Sequence, residues 1–480
     1  MRNLHGSKRE SCYIPSVREI LRKHPRFFLA VTVAAIALRI LFVLRFPAIT
    51  SDSFVYGDIA KNWLQHGIYG LGGGTEITPT SLRLPGYPAF LAAVFAIFGM
   101  EHYRAAMVLQ IFVDLGTCFL IADLTRRVIS NQAAKIAFLL AALCPFLANY
   151  AAAALSETWE IFFTVLAMDL VVVGVARWES STLGPWLGCG LAIGAAILLR
   201  PDGGLLLIAI ETYLAIFLFR KIPASEPRTQ LIKAGLIVGV VSLACLLPWS
   251  VRNLRTLHQF QPLAPRYGNE EHAFVPMGFI RWVKTWIVDY TSVEEVYWAV
   301  PGNPIDVSVL PTRAFDTSQQ QEQTEELLDD YNHVLRVTPA LDVQFADLAA
   351  ERIRHAPLRY YLFLPSLRIA DMWLRPRTEI LPCNTRWWEF DEEPQWLVLS
   401  VAVGVINLVY IGAALLGMLQ GNFRLGFGAL LVFVILRSAF LGNLENPEPR
   451  YTLECYPVVI LLAATAFASK RSALDPNPRS

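Results

Sequence analysis

Residues 27–46 read FFLAVTVAAIALRILFVLRF, an apolar run interrupted only by Arg39 and Arg45. A helix of that length crosses a hydrocarbon core of about 30 Å. Inside lipid a spanning segment must satisfy its own backbone hydrogen bonds, so such a run folds as a helix. The pattern recurs near 104–122, 133–149, 158–176, 184–199, 203–219, 231–248, 395–419, 424–442 and 452–469, giving ten spans. Two further apolar stretches, 86–99 and 358–374, would raise the count to twelve. An all-α polytopic membrane protein with about 10–12 transmembrane helices follows. Charged residues make up 17% of the 480, against roughly 25% in soluble domains. A formal net charge of +1 gives no attraction to nucleic acid. The seven cysteines include no CxxC pair and read as small core residues.

Basic residues orient the bundle. Arg2, Lys8, Arg9, Arg18, Arg22, Lys23 and Arg26 precede the first span, so the N-terminus is expected in the cytoplasm. If 86–99 and 358–374 lie at the interface rather than cross, then Arg126, Arg127, Arg177, Arg220, Lys221, Arg424, Lys470 and Arg471 also face inward. The expected organisation is a cytoplasmic tail (1–26), a membrane module (27–248) with an outer loop (47–103), a long outer segment (249–394), C-terminal membrane helices (395–469) and a tail (470–480). The long segment is expected to hold a helix near 321–336 and an amphipathic stretch near 341–356, and not a full second domain. Trp249, Trp282, Trp286, Trp387 and Trp388 read as interfacial anchors.

On this topology one face collects Asp52, Asp58, Arg83, Glu157, Arg200, Asp202, Arg252 and Arg450. Charges beside apolar spans are costly, and function is a fair default for them. Arginine grips phosphate through a planar fork; a carboxylate can take a proton from an attacking hydroxyl. The mixture suits chemistry on an anionic, lipid-bound substrate. Structural readings compete. Asp52 would cap a helix over 53–66 that ends at Gly67. Asp58 would pair with Lys61, Glu157 would meet a helix N-terminus, Arg200 would pair with Asp202, Arg252 would snorkel, and Arg450 would pair with Glu448 or Glu445. The ionisable groups expected near mid-membrane are few: Arg39, Asp114, Asp169 and Glu211.

The order of motifs is specific: SDSFVYGDIAKNWLQHGIYG, RLPGYPAFLAAVFAIFG, CPFLANYAAAALSET, LLRPDGGLLL, LPWSVRN and PEPRYTLECYP. It resembles the polytopic GT-C glycosyltransferases, and within them the bacterial relatives of dolichyl-phosphate-mannose-protein mannosyltransferase. These include lipid A aminoarabinose transferase and the core galacturonosyltransferases. The resemblance covers roughly 27–255 and 395–470. It implies a GT-C-type bundle with outer-face loops and interfacial helices, a polyprenyl-phosphate sugar donor, and an acceptor glycan, lipid or protein. It implies Asp52 as catalytic acid/base, Glu157 as a second acid, and Asp58 as a substitute for an absent doubled acid, since Ser53 follows Asp52. The family's basic-Pro-Pro motif is matched by Arg83 to Pro88 with Leu84 in place of the first proline, so Arg83 and Tyr87 are candidate substrate ligands. Arg200, Arg252, Arg450 and Tyr451 fall on recurring family positions. A divalent metal held by acids such as Asp52 and Glu157 would also balance a leaving phosphate; no sequence feature requires one. The expected location is a bacterial inner membrane with the site on its outer face. A lipid-linked glycan ligase or polymerase, a transporter and a non-enzymatic scaffold are the competing classes.

Overall fold

A computed structural model describes residues 21–72, 76–178, 182–220, 228–267, 273–389 and 393–472. Most of the expected N-terminal tail, the end of the C-terminal tail, Cys12 and Lys221 lie outside the described residues.

Each of the ten expected apolar blocks is helical. Seven described helices are long and apolar enough to cross a membrane: Pro25–Arg45, Tyr103–Val128, Glu157–Ala176, Pro201–Arg220, Thr229–Thr256, Pro394–Gln420 and Pro449–Ala468. An eighth candidate is broken, Asn131–Ala142 followed by Pro145–Ala151, bent by 51°. Pro145 stands at the break and has no N–H to continue the ladder. Gly184–Leu199 and Phe427–Gly442 are apolar but have 16 residues each, or about 24 Å of helix. Gly86–Phe98 does not cross. It starts against the backbone of Leu198, at the end of Gly184–Leu199, and finishes with Phe95 packed on Tyr103 at the start of the next span. Both of its ends therefore lie at one end of the bundle.

That end is built around helix Ser51–His66, α1. Thr50 and Ser53 form a reciprocal capping box at its start, and Gly67 closes it in the left-handed conformation at φ 69°. The helix begins two residues before the expected 53, and Asp52 is not its cap. Asp52 sits in the first turn, its carboxylate free for other partners. Just ahead, Ala48 pairs with Ala153 in an isolated parallel bridge; its N–H donates to Ala152 O (3.0 Å) and its carbonyl accepts from Ala154 N–H (2.9 Å). Buried Gln110 braces this bridge, donating to Ala153 O (2.7 Å) and accepting from the Tyr87 hydroxyl (2.8 Å). The broken helix pair thus delivers the chain to Glu157 beside the start of α1.

Beyond the bundle, Ser318–Val334 and Pro339–His355 are helices near the expected places. They pack with Met277–Val283 around a core that includes Trp282, Trp286, Tyr331 and Phe345. Trp282 and Trp286 are fully buried there, and Trp249 is buried against Tyr69, so these three are core residues and not interfacial anchors. Buried Arg368 ties this segment to the bundle, donating to Ile287 O (2.8 Å) and Gly442 O (3.3 Å). Within the bundle Arg39 pairs with Asp114 at 2.6 Å, and Asp169 with Arg127 at 2.9 Å.

Candidate active site

The end of the bundle around α1 gathers charged side chains from six stretches of chain. Asp52 is the hub. Its Oδ1 takes a bond from Arg83 Nη2 at 2.6 Å, and its Oδ2 faces Arg450 Nη1 at 3.3 Å. Arg83 hangs from the loop ahead of Gly86–Phe98. Arg450 lies in the tight turn Pro449–Cys455, at the mouth of the last span. Arg450 also pairs with Glu448 (2.5 Å) and comes within 3.8 Å of Glu157. Glu157 opens helix Glu157–Ala176, where the positive helix end favours a carboxylate. Its Oε1 faces Arg200 at 3.1 Å; its buried Oε2 meets no donor among the described residues.

Arg200 terminates Gly184–Leu199 in an extended conformation and pairs with Asp202 across the turn at 3.2 Å. The Tyr451 ring lies beneath two guanidiniums, 4.9 Å from Arg200 and 5.3 Å from Arg450. Its hydroxyl donates to Glu448. Underneath, fully buried Arg437 donates to Asp202 and Glu454 at 2.8 Å each and lies 3.7 Å from Glu160. It also donates to Tyr451 O (2.9 Å), which fixes the turn that carries Arg450.

Burial pushes the Asp52 carboxyl up. The guanidiniums of Arg450 and Arg83, with a smaller share from Arg200, more than offset that and hold it below the usual carboxylate range. Burial raises the Glu448 carboxyl despite Arg450. The result is a half-exposed carboxylate ringed by three arginines, able to meet an anion and a hydroxyl at the same point.

Of the sequence candidates, Asp52, Arg83, Glu157, Arg200, Arg450 and Tyr451 come together. Asp58 does not. It accepts from Gly72 N–H (3.0 Å) and pairs with Lys61 (3.4 Å), closing the loop after α1. Arg252 donates to Thr80 O (2.8 Å) and Tyr69 O (2.5 Å) and stacks on Tyr69 and Trp249, so it fastens the small hairpin Gly70–Leu71/Thr78–Pro79. Tyr87 is buried under α1 against Tyr56 and Gln110. Glu160, Arg437 and Glu454 went unread in the sequence. Arg437 stands alone in FGALLVFVILRSAFLG, and an arginine in so apolar a run was the available signal. Glu160 lies one turn after Glu157, on the same helix face.

A divalent cation is a poor fit to these donors. Both Asp52 oxygens face guanidiniums, and among the described residues no group of three or more His, Cys, Asp or Glu is placed to hold a metal ion. The described cysteines are free thiols.

The family model described as dolichyl-phosphate-mannose-protein mannosyltransferase matches residues 80–251, a stretch that holds Arg83, Glu157 and Arg200. Among solved structures, the archaeal oligosaccharyltransferase AglB from Archaeoglobus fulgidus, in complex with an inhibitory peptide and a dolichol-phosphate, is similar at TM-score 0.51 and 15% identity. The match covers 96% of this chain and 53% of that one, so the chain spans about half the length of that enzyme. ArnT from Cupriavidus metallidurans, bound to undecaprenyl phosphate, gives TM-score 0.39 at 13% identity, over 93% of this chain and 78% of that one. None of the curated proteins matches. The likeness to AglB is one of fold: this chain is a polytopic helical bundle of the GT-C type.

Proposed function

We propose, from the GT-C-type bundle and the family match over 80–251, that the chain is a glycosyltransferase. It moves a sugar from a polyprenyl-phosphate donor to an acceptor hydroxyl on the non-cytoplasmic face of a bacterial inner membrane. The observation that carries the reading is the Asp52 carboxylate held between Arg83 and Arg450 at the mouth of the bundle. AglB, of similar fold, was solved with a dolichol-phosphate, a lipid phosphate of the class proposed here.

The chemistry follows from the charges. The donor phosphate enters at the interface with its tail in lipid, and Arg83, Arg200 and Arg450 supply forked donors to its oxygens. As those arginines turn to the phosphate, Asp52 loses the charges that hold it. It can then accept the acceptor's hydroxyl proton as that oxygen bonds to the anomeric carbon. The carbon–oxygen bond to phosphate breaks, and polyprenyl phosphate leaves as an anion needing no proton. One displacement inverts the anomeric centre. Glu157, braced by Arg200, keeps the second arginine aimed; Tyr451 keeps both Arg200 and Arg450 in plane.

The test is sugar transfer from purified polyprenyl-phosphate sugars to an extract of envelope lipids, glycans and proteins, wild type against Asp52→Asn. Loss of a positioned base lowers turnover by about 10²–10⁴, with expression and folding unchanged. An Asp52→Asn enzyme with wild-type turnover, or a product of retained configuration, removes the mechanism.

A further inference from the structure

Beside the charged cluster lies a cavity of about 370 Å³, within the size range of ligand pockets. It opens between the segment around Tyr290 and Glu294 and the loop 375–385, and its lining includes Arg375, Thr378, Glu379 and Asn384. Its walls differ from the cluster's. The cluster balances Arg83, Arg200 and Arg450 against Asp52, Glu157, Asp202 and Glu448; the cavity presents two carboxylates, an amide and hydroxyls to one arginine.

That arginine is already engaged. Arg375 donates to Thr291 Oγ1 at 2.9 Å and lies over the Tyr290 ring at 5.7 Å. Tyr290 is hydrogen bonded to Glu294. Glu379 has no such commitment: neither carboxylate oxygen meets a donor from another residue among the described ones. Burial raises its carboxyl above the usual range, and the nearby guanidiniums of Arg377 and Arg375 offset only part of that. A buried carboxylate without partners is costly unless something supplies donors.

Cavity and cluster adjoin. Tyr150, 2% exposed and with no partner for its hydroxyl, lies within electrostatic reach of Glu379 on one side and of Glu157, Arg450 and Glu448 on the other. A phosphate is repelled from the cavity by Glu294 and Glu379 and drawn to the arginines next door. A neutral polyhydroxylated ring suits the cavity, because its carboxylates and its amide oxygen accept hydrogen bonds from hydroxyls.

We infer that the cavity between residues 290–294 and 375–385 is a saccharide subsite, with Glu379 and Glu294 accepting hydrogen bonds from sugar hydroxyls. The inference rests on the proposed transferase reading for the identity of the sugar, which belongs either to the acceptor or to the donor's head group.

The first measurement is direct binding of methyl glycosides (gluco, galacto, manno and N-acetylglucosamine) to the full-length protein in nanodiscs, by saturation-transfer NMR. Glu379→Gln and Asn384→Ala are compared with wild type; Asn384→Ala serves if Glu379→Gln folds poorly. At least one glycoside is expected to bind wild type and to weaken about tenfold or more in Glu379→Gln, the loss expected from one hydrogen bond to a charged group. In transfer assays an acceptor sugar raises the acceptor KM with kcat within about threefold; a donor sugar raises the KM of donor hydrolysis instead. Either pattern supports the subsite and names its source. Glycoside binding that no cavity substitution alters, or no binding by any glycoside, overturns it. Glycoside binding lost on substitution in a protein that transfers no sugar keeps the subsite and removes the transferase.

Discussion

In the proposed mechanism Asp52 is a base kept out of use until the donor arrives. Its carboxyl is held down by Arg450 and Arg83 against the opposing pull of burial. The folded value lies below the usual 3.8. Asp52 therefore contributes stability that is fully present above that ordinary value and is lost as pH falls through the lower folded one. In kcat/KM, which reports the free enzyme, the acid limb should fall below pH 3.8. In Arg450→Ala, burial has less to oppose it and the limb should move upward. A pH–rate series on both enzymes checks this, and an Arg450→Ala limb at or below the wild-type position contradicts it. A second prediction concerns Arg437, fully buried between Asp202 and Glu454. Arg437→Met strands both carboxylates and should cost about 3–5 kcal/mol, read as lost thermal stability in detergent. Removing a buried charge's partner is worse than never burying the pair.

At the scale of elements, the site depends on how closely Gly86–Phe98 approaches Gly184–Leu199. A Cβ on Gly86 would stand 2.6 Å from Leu198 O, two residues before Arg200. Gly86→Ala should force the helices apart at a cost of about 1–3 kcal/mol and raise the donor KM by misplacing both Arg83 and Arg200. Gly67→Ala is the control. Nothing lies within 4 Å of its Cβ, so only the left-handed backbone is penalised, by about 1 kcal/mol, with KM unchanged. The apolar spans were legible in the sequence because twenty-residue hydrophobic runs have one solution in lipid. So was the C-cap at Gly67. Other features were not. In the sequence only the resemblance sets Asp52 above Asp58. The Ala48–Ala153 bridge separates them by turning one toward Glu157 and leaving the other to Gly72 N–H. Arg252 looked like a ligand because it is an arginine near a span; only the fold shows it spent on backbone carbonyls. Trp282 and Trp286 looked interfacial because a core outside the membrane leaves no long apolar run.

For the whole molecule, the paired ends of the bundle give a topology that can be measured. Arg424 N–H donates to Val128 O at the end opposite Asp52, close to Arg126 and Arg127. A cysteine placed at Asp329, exposed on helix Ser318–Val334, should react with a membrane-impermeant maleimide in intact cells. One placed at Arg424 should react only after permeabilisation. Labelling in the reverse order inverts the orientation and removes the outer-face site. The contact between Asp52 and Arg450 joins positions 398 residues apart. During synthesis the N-terminal half therefore enters the membrane with the Asp52 carboxylate bonded to Arg83 and still without Arg450. The ring of charges closes only when Pro449–Ala468 is threaded in. A chain that stops before residue 450 inserts its apolar spans but lacks Arg450, so under the proposed reading it carries an incomplete site.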